Sequence, residues 1–110
     1  MAHYTLQFRY SQTAVKAMVD KPQDRAAAAK AAMEGFGGEL LQFYFTFGEF
    51  DGVVICDLPD NTSAAAVVMA IAATGGFAHA QTTVLLTAKE AEAAMHKAHD
   101  TKTAYKPPHG

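Results

Sequence analysis

The segment Phe43-Tyr44-Phe45-Thr46-Phe47-Gly48-Glu49-Phe50-Asp51-Gly52-Val53-Val54-Ile55 constrains the fold more than any other stretch of this chain. It reads as an aromatic strand, a tight glycine-containing turn and a second, β-branched strand. Two strong strand formers on either side of a glycine-bracketed acidic turn are a hairpin signal. An antiparallel pair therefore sits at the centre of the domain, and the other elements must be arranged around it.

Residues 3–10 alternate with period two, Leu6 and Phe8 on one side and Thr5, Gln7 and Arg9 on the other, which is the pattern of a half-buried strand. Ser11 is placed to cap a helix whose apolar side is Ala14, Val15 and Met18. Pro22 removes an amide donor and disfavours helical geometry at Lys21, so a kink or short break is expected before the helix resumes and runs to Glu34. Ala29, Ala32, Met33 and Phe36 keep helical spacing, and Gly35 is placed to end the helix in the left-handed conformation. The hairpin strands cover residues 39–46 and 52–58. Asp60 or Asn61 then caps a helix over residues 63–74. That helix is apolar all round, with Ala65, Val68, Met69 and Ala72 on one face and Val67, Ala70 and Ile71 on the other. Such a helix is covered on all sides, so subunit contacts are expected there. Residues 77–86 read as a fourth strand. Thr87 and Glu90 form a capping box for a last helix that carries Ala88, Ala91, Met95 and Ala98 inward.

The order is β-α-β-β-α-β with an extra C-terminal helix: a ferredoxin-like α+β domain, a four-stranded antiparallel sheet with its helices on one face. A chain of 110 residues, half of them hydrophobic, suits one domain over residues 1–100, with an extended or disordered tail over residues 101–110. A net charge of −2 with scattered basic residues argues against a nucleic-acid surface. The N-terminus lacks the pattern of a signal peptide, and the longest apolar run, residues 64–73, is too short to span a bilayer. A cytoplasmic protein without membrane contact is expected. The lone Cys56, inside an apolar run, reads as a small buried hydrophobe in a reducing compartment; the alternative is a catalytic thiol.

Strand parity leaves one sheet face without helices. Leu6 and Phe8, then Leu41, Phe43, Phe45 and Phe47, then Ala78, Ala80, Thr82, Val84 and Leu86 are assigned to the helix side. The free face then collects Gln7, Arg9, Gln42, Tyr44, His79 and Gln81. Two such faces meeting in a dimeric α+β barrel-type assembly enclose a partly polar cavity between subunits. Histidine is the residue type in this set that titrates near neutral pH, tyrosine is a weak acid, and arginine holds anions. His79, Tyr44 and Arg9 are thus the candidate catalytic residues, and Gln7, Gln42 and Gln81 the candidate binding residues. Their target is a small aromatic or acidic metabolite in a homo-oligomer, a dimer or higher. The plainer alternative is a polar contact surface with no ligand, in a non-catalytic accessory protein.

Other motifs lack a partner that their chemistry needs. Gly35-Phe36-Gly37-Gly38 leads into a strand and lacks the Lys-Ser/Thr partner of a phosphate loop. No cofactor is expected. Glu92, His96 and His99 share a helix face, but a stable metal site draws ligands from a second element, so no metal is expected. Glu49 and Asp51 read as solvated or turn-forming.

On the hairpin motif, the apolar third strand, Pro59-Asp60 and the order of elements, the chain resembles the GYD-domain family, small ferredoxin-like α+β proteins, from the first strand to the capped last helix. The triplet that names the family falls, with one spacer, on Gly48, Phe50 and Asp51, so phenylalanine stands where relatives carry tyrosine. The resemblance implies this fold and assembly into oligomers. Gly48 and Asp51 look structural: glycine for the turn, and the Asp51 carboxylate for bonding turn amides.

Overall fold

The computed structural model describes residues 1–108. Its elements are β1 (Ala2–Tyr10), α1 (Gln12–Asp20), α2 (Arg25–Gly35), β2 (Glu39–Phe45), β3 (Gly52–Leu58), α3 (Asn61–Ala72), β4 (Phe77–Leu85) and α4 (Ala88–Asp100). The four strands form one antiparallel sheet in the order β2-β3-β1-β4, the ferredoxin-like arrangement. α1, α2 and α3 pack on one face of it. Residues 101–107 form no helix or strand; His109 and Gly110, the end of the expected tail, lie outside the described residues.

Local chemistry explains each boundary. The Ser11 hydroxyl accepts from the Ala14 amide and starts α1. Pro22 falls in a full break rather than a kink, and Asp24 restarts the helix by accepting from the Ala26 and Ala27 amides. Asp60 caps α3 through the Ser63 amide, and Thr87 and Glu90 exchange bonds of 3.0 Å at the start of α4. Both capping carboxyls, Asp60 and Glu90, are held below their ordinary range by those backbone donors. The left-handed residue after α2 lies further on than expected. Gly37, not Gly35, takes that conformation, with φ +80°.

The core lies between the sheet and the helices. Tyr4, Leu6 and Phe8 of β1, Val54, Cys56 and Leu58 of β3, Met33 of α2, and Ala64 and Val67 of α3 form it. Burial of Tyr4 is tolerated because its hydroxyl donates to the Asn61 side chain, 2.6 Å away.

Three expectations about this side are corrected. Strand parity fails at two bulges. On β2 the register slips between Leu40 and Gln42, so Leu40 opposite Cys56 faces the core and Leu41 is the extra, exposed residue. On β4 the slip lies opposite Arg9 and Tyr10, so Phe77 rather than Ala78 packs inward. One inserted residue reverses every side chain beyond it. The hairpin turn is not tight: residues 46–51 form a six-residue loop, and Phe47 stands fully exposed in it. α3 faces the sheet with Ala64, Val67, Val68 and Ile71, and its exposed side carries Ala65, Met69, Ala70 and Ala72.

α4 does not turn inward. None of its residues is buried, Met95 is 68% exposed, and no other element packs closely on it. With the tail, it raises the radius of gyration to 17.8 Å, against about 13 Å for a compact chain of this length. The stripe Ala88, Ala91, Met95 and Ala98 is amphipathic as expected, but it has no partner within its own chain among the described residues.

Candidate functional site

The free face of the sheet is read directly from strand register. Arg9 pairs with His79 at the border of β1 and β4. The next row runs Tyr44, Val53, Gln7, Gln81 across all four strands, and the row after it Gln42, Ile55, Thr5, Thr83. All six polar residues expected on this face lie on it. Between them β3 contributes Val53 and Ile55, both half-buried. The parity of β3, open in the sequence, is settled by Val54, Cys56 and Leu58 turning to the core.

The face is not one constellation. Arg9 and His79 are neighbours, and the loop of residues 46–51 folds over them. The Arg9 Nε donates to the Glu49 carbonyl. The Phe50 ring stacks on the His79 imidazole at 6.1 Å between centroids and 21° between planes. Tyr44 lies on the opposite edge strand, three strand spacings or about 14 Å from His79 and two spacings from Arg9. Its hydroxyl donates to the Gln42 side chain at 3.0 Å. Gln7 and Gln81 face each other on β1 and β4, in the row next to Arg9 and His79. The structure therefore brings Arg9 and His79 together with Phe50 and separates Tyr44 from them.

The loop residues have other roles than expected. The Asp51 carboxylate accepts from the Tyr10 amide at 2.9 Å, and the Asp51 amide donates to the Phe8 carbonyl at 2.8 Å. Asp51 thus clips the loop to β1 instead of bonding amides of the turn. Gly48 has an ordinary backbone and open space around its Cα. Of the two glycines around the acidic residues, the one the fold requires is Gly52, where a Cβ would overlap the Phe8 ring. Phe50 is the member of the triplet aimed at the candidate site.

A second polar group on this face was not anticipated. His3 and Asp57, paired across β1 and β3, share a hydrogen bond between Nδ1 and a carboxylate oxygen. Both lie on the free face; period-two parity on β1 was the signal for His3, whereas β3 gave no parity in the sequence and Asp57 stood out there only as the polar residue near the end of an apolar run. On α4, His96 lies 3.7 Å from Glu92, and His99 lies 3.0 Å from Asp100. Among the described residues no cluster of three or more metal-ligating side chains forms. No helix among them is long and apolar enough to cross a membrane.

Cys56 is fully buried in the core, and burial together with the nearby Asp57 charge pushes its thiol up to about 11. That environment suppresses the thiolate, so Cys56 is no nucleophile. Alkylation of the native protein by iodoacetamide is expected to stay slow up to about pH 9, while denatured protein reacts as an ordinary thiol. Mass spectrometry of timed aliquots reads this; equal rates in the two states would refute the burial. Stability from the protonated buried thiol is complete below its unfolded value near 9 and declines as pH rises towards 11.

The family model described as the GYD domain matches residues 4–95. No curated protein matches in sequence. A crystal structure of a protein from Thermus thermophilus is similar, with TM-score 0.55 and 19% identity over 80% of this chain and 96% of that one. A transcriptional regulator from Neisseria meningitidis, crystallised as a complex with L-Met, is similar with TM-score 0.51 and 15% identity, over 96% of this chain and 56% of that one. At these identities the likeness is one of fold.

Proposed function

The chain belongs to the GYD family, and from that premise we propose that it is a homo-oligomeric small-molecule-binding protein of the cytoplasm. Its copies meet through their free sheet faces, and the polar layer between them binds a small acidic or aromatic metabolite at Arg9 and His79. The observation that carries this reading is the Arg9–His79 pair with the Phe50 ring stacked on His79. A guanidinium offers parallel donors to a carboxylate, an imidazole beside it can take or give a proton, and a flat ring supplies an apolar wall. Proton transfer by His79 without a cofactor is the catalytic form of the same reading.

Assembly is supported by two surfaces. Val53 and Ile55 put apolar area in the middle of the free face. α4, 13 residues long, is a marginal helix by itself and gains stability from a surface that covers Met95. The L-Met complex of the Neisseria meningitidis regulator lends support by analogy, as a protein of similar fold that holds a small molecule. A free cysteine is in keeping with a reducing compartment.

The distance from Tyr44 to His79 favours a second reading, in which the face is an assembly surface and the protein an accessory without chemistry. One experiment separates the two. Light scattering gives the oligomeric state of the wild type, Arg9→Ala and His79→Ala, and thermal shifts are recorded with a panel of small aromatic and acidic metabolites. A ligand at 100 times its Kd stabilises by about 2.7 kcal/mol. A shift lost in both variants, with assembly unchanged, supports ligand binding. No shift with any compound, and weakened assembly in the variants, supports the accessory reading. A monomeric wild type overturns both.

A further inference from the structure

A different cavity lies on the other side of the sheet, under α2. Five rings gather there at one end of the sheet: Phe8, Tyr10, Phe43, Phe45 and Phe77. Phe8 and Phe77 are stacked at 4.8 Å, with Tyr10 edge-on to Phe8 at 5.1 Å. The helix above them does not fill the space. Its residues that line the space are Arg25, Ala29, Ala32 and Met33, with the exposed Ala28 at the rim, so methyl groups stand where larger side chains would close a core. A cavity of about 90 Å³ remains, and it adjoins a second of about 160 Å³ towards α1, the two sharing Tyr10, Arg25, Ile71 and Phe77.

Arg25 is the one charged residue lining either cavity among the described residues. It stands on the inward face of α2, where the helical pattern calls for an apolar residue. Its guanidinium donates to the Gln23 side chain at 2.9 Å, and among the described residues no carboxylate forms an ion pair with it. Burial raises the Tyr10 hydroxyl above its ordinary value, while the neighbouring Arg25 opposes that rise. An unpaired guanidinium at an aromatic-walled cavity has donors for a carboxylate, and the walls suit a flat apolar body. The size restricts that body. Engineered cavities near 150 Å³ take benzene; the space of about 90 Å³ is smaller than that and the adjoining one of about 160 Å³ matches it, while drug-sized pockets begin near 300 Å³, so a single ring that straddles the junction of the two spaces fits and two rings do not.

The geometry points to a binding site for a small single-ring aromatic monocarboxylate between α2 and the sheet, where the two spaces join, its carboxylate on Arg25 and its ring against Tyr10 and Phe77. The site belongs to a single copy of the chain and does not depend on the free-face reading.

Phenylacetate is the probe, with 2-phenylethanol as its neutral counterpart, titrated into the full chain by calorimetry and by amide and aromatic NMR. Phenylacetate is expected to bind and to shift resonances of Arg25, Tyr10 and Phe77. Arg25→Met is expected to weaken phenylacetate by about 10- to 100-fold, the loss of a charge-assisted pair, and to leave 2-phenylethanol unchanged. Ala29→Leu is expected to exclude both, with circular dichroism unaltered. Gln12→Ala, on the exposed start of α1, serves as the control for surface effects. The inference is overturned by any of three results: no binding to the wild type at millimolar probe, equal affinity in Arg25→Met, or shifts confined to Arg9 and His79. The last result would instead strengthen the free-face site, so the two readings fail separately.

Discussion

Val67→Asp is expected to abolish folding, while Met69→Asp, two residues along the same helix, is expected to leave the fold intact. Val67 is 0% exposed and packs in the core with Tyr4, Leu58 and Met33; Met69 is 70% exposed. A carboxylate at position 67 has no cationic partner there, and burying an unpaired charge costs several kcal/mol. That is comparable to the whole stability of a small domain, about 5–15 kcal/mol. Far-UV circular dichroism and an amide NMR spectrum of the two variants decide the matter. If α3 contacts a second copy, Met69→Asp is also the substitution that changes the oligomeric state. A folded Val67→Asp protein with altered assembly would mean that α3 presents its other face to the sheet.

Gly52→Val is expected to cost about 1–3 kcal/mol, the usual penalty of overpacking, or roughly 4–8 °C in Tm per kcal/mol for a domain of this size. Gly52 lies in β3 between Phe8 of β1 and Phe45 of β2. A Cβ there would enter the Phe8 ring, and that ring is stacked on Phe77 and edge-on to Tyr10, so it cannot move aside without breaking the aromatic cluster. The same displacement would reshape the floor of the cavity under α2. Gly48→Ala is the matched control. Nothing lies within 4 Å of the added carbon and the backbone is ordinary, so the variant is expected to be neutral or slightly stabilising, by up to about 1 kcal/mol. Chemical denaturation of the three proteins tests both. A Gly52→Val protein as stable as wild type would refute the close approach of β3 to Phe8.

The contrast between the two glycines shows where the motif was legible and where it was not. Both bracket the same acidic segment, residues 49–51, and glycine in a turn suggests backbone freedom at either. The need at Gly52 comes from the ring of Phe8, far earlier in the chain, visible only once β1 and β3 are side by side. Asp51 is similar: an acid in a turn bonds nearby amides by default, yet its carboxylate reaches the Tyr10 amide on another strand.

The sequence alone determined the order of elements, the helix starts at Ser11 and Thr87, the family, and the sidedness of Gln7, Arg9, Gln42, Tyr44, His79 and Gln81. These depend on local rules, period-two alternation and side chains bonding amides a few residues away, and such rules act within one element. Only the tertiary structure decided the rest. It placed Tyr44 across the sheet from His79, turned Val67 inward on an α3 whose all-round apolar pattern carries no phase, shifted parity at Leu41 and Ala78, and left α4 without a neighbour. It also set Arg25 over Phe8 and Phe77. Each of these depends on where a second element comes to rest, and periodicity within one element shows that it has an apolar face without showing what will lie against it.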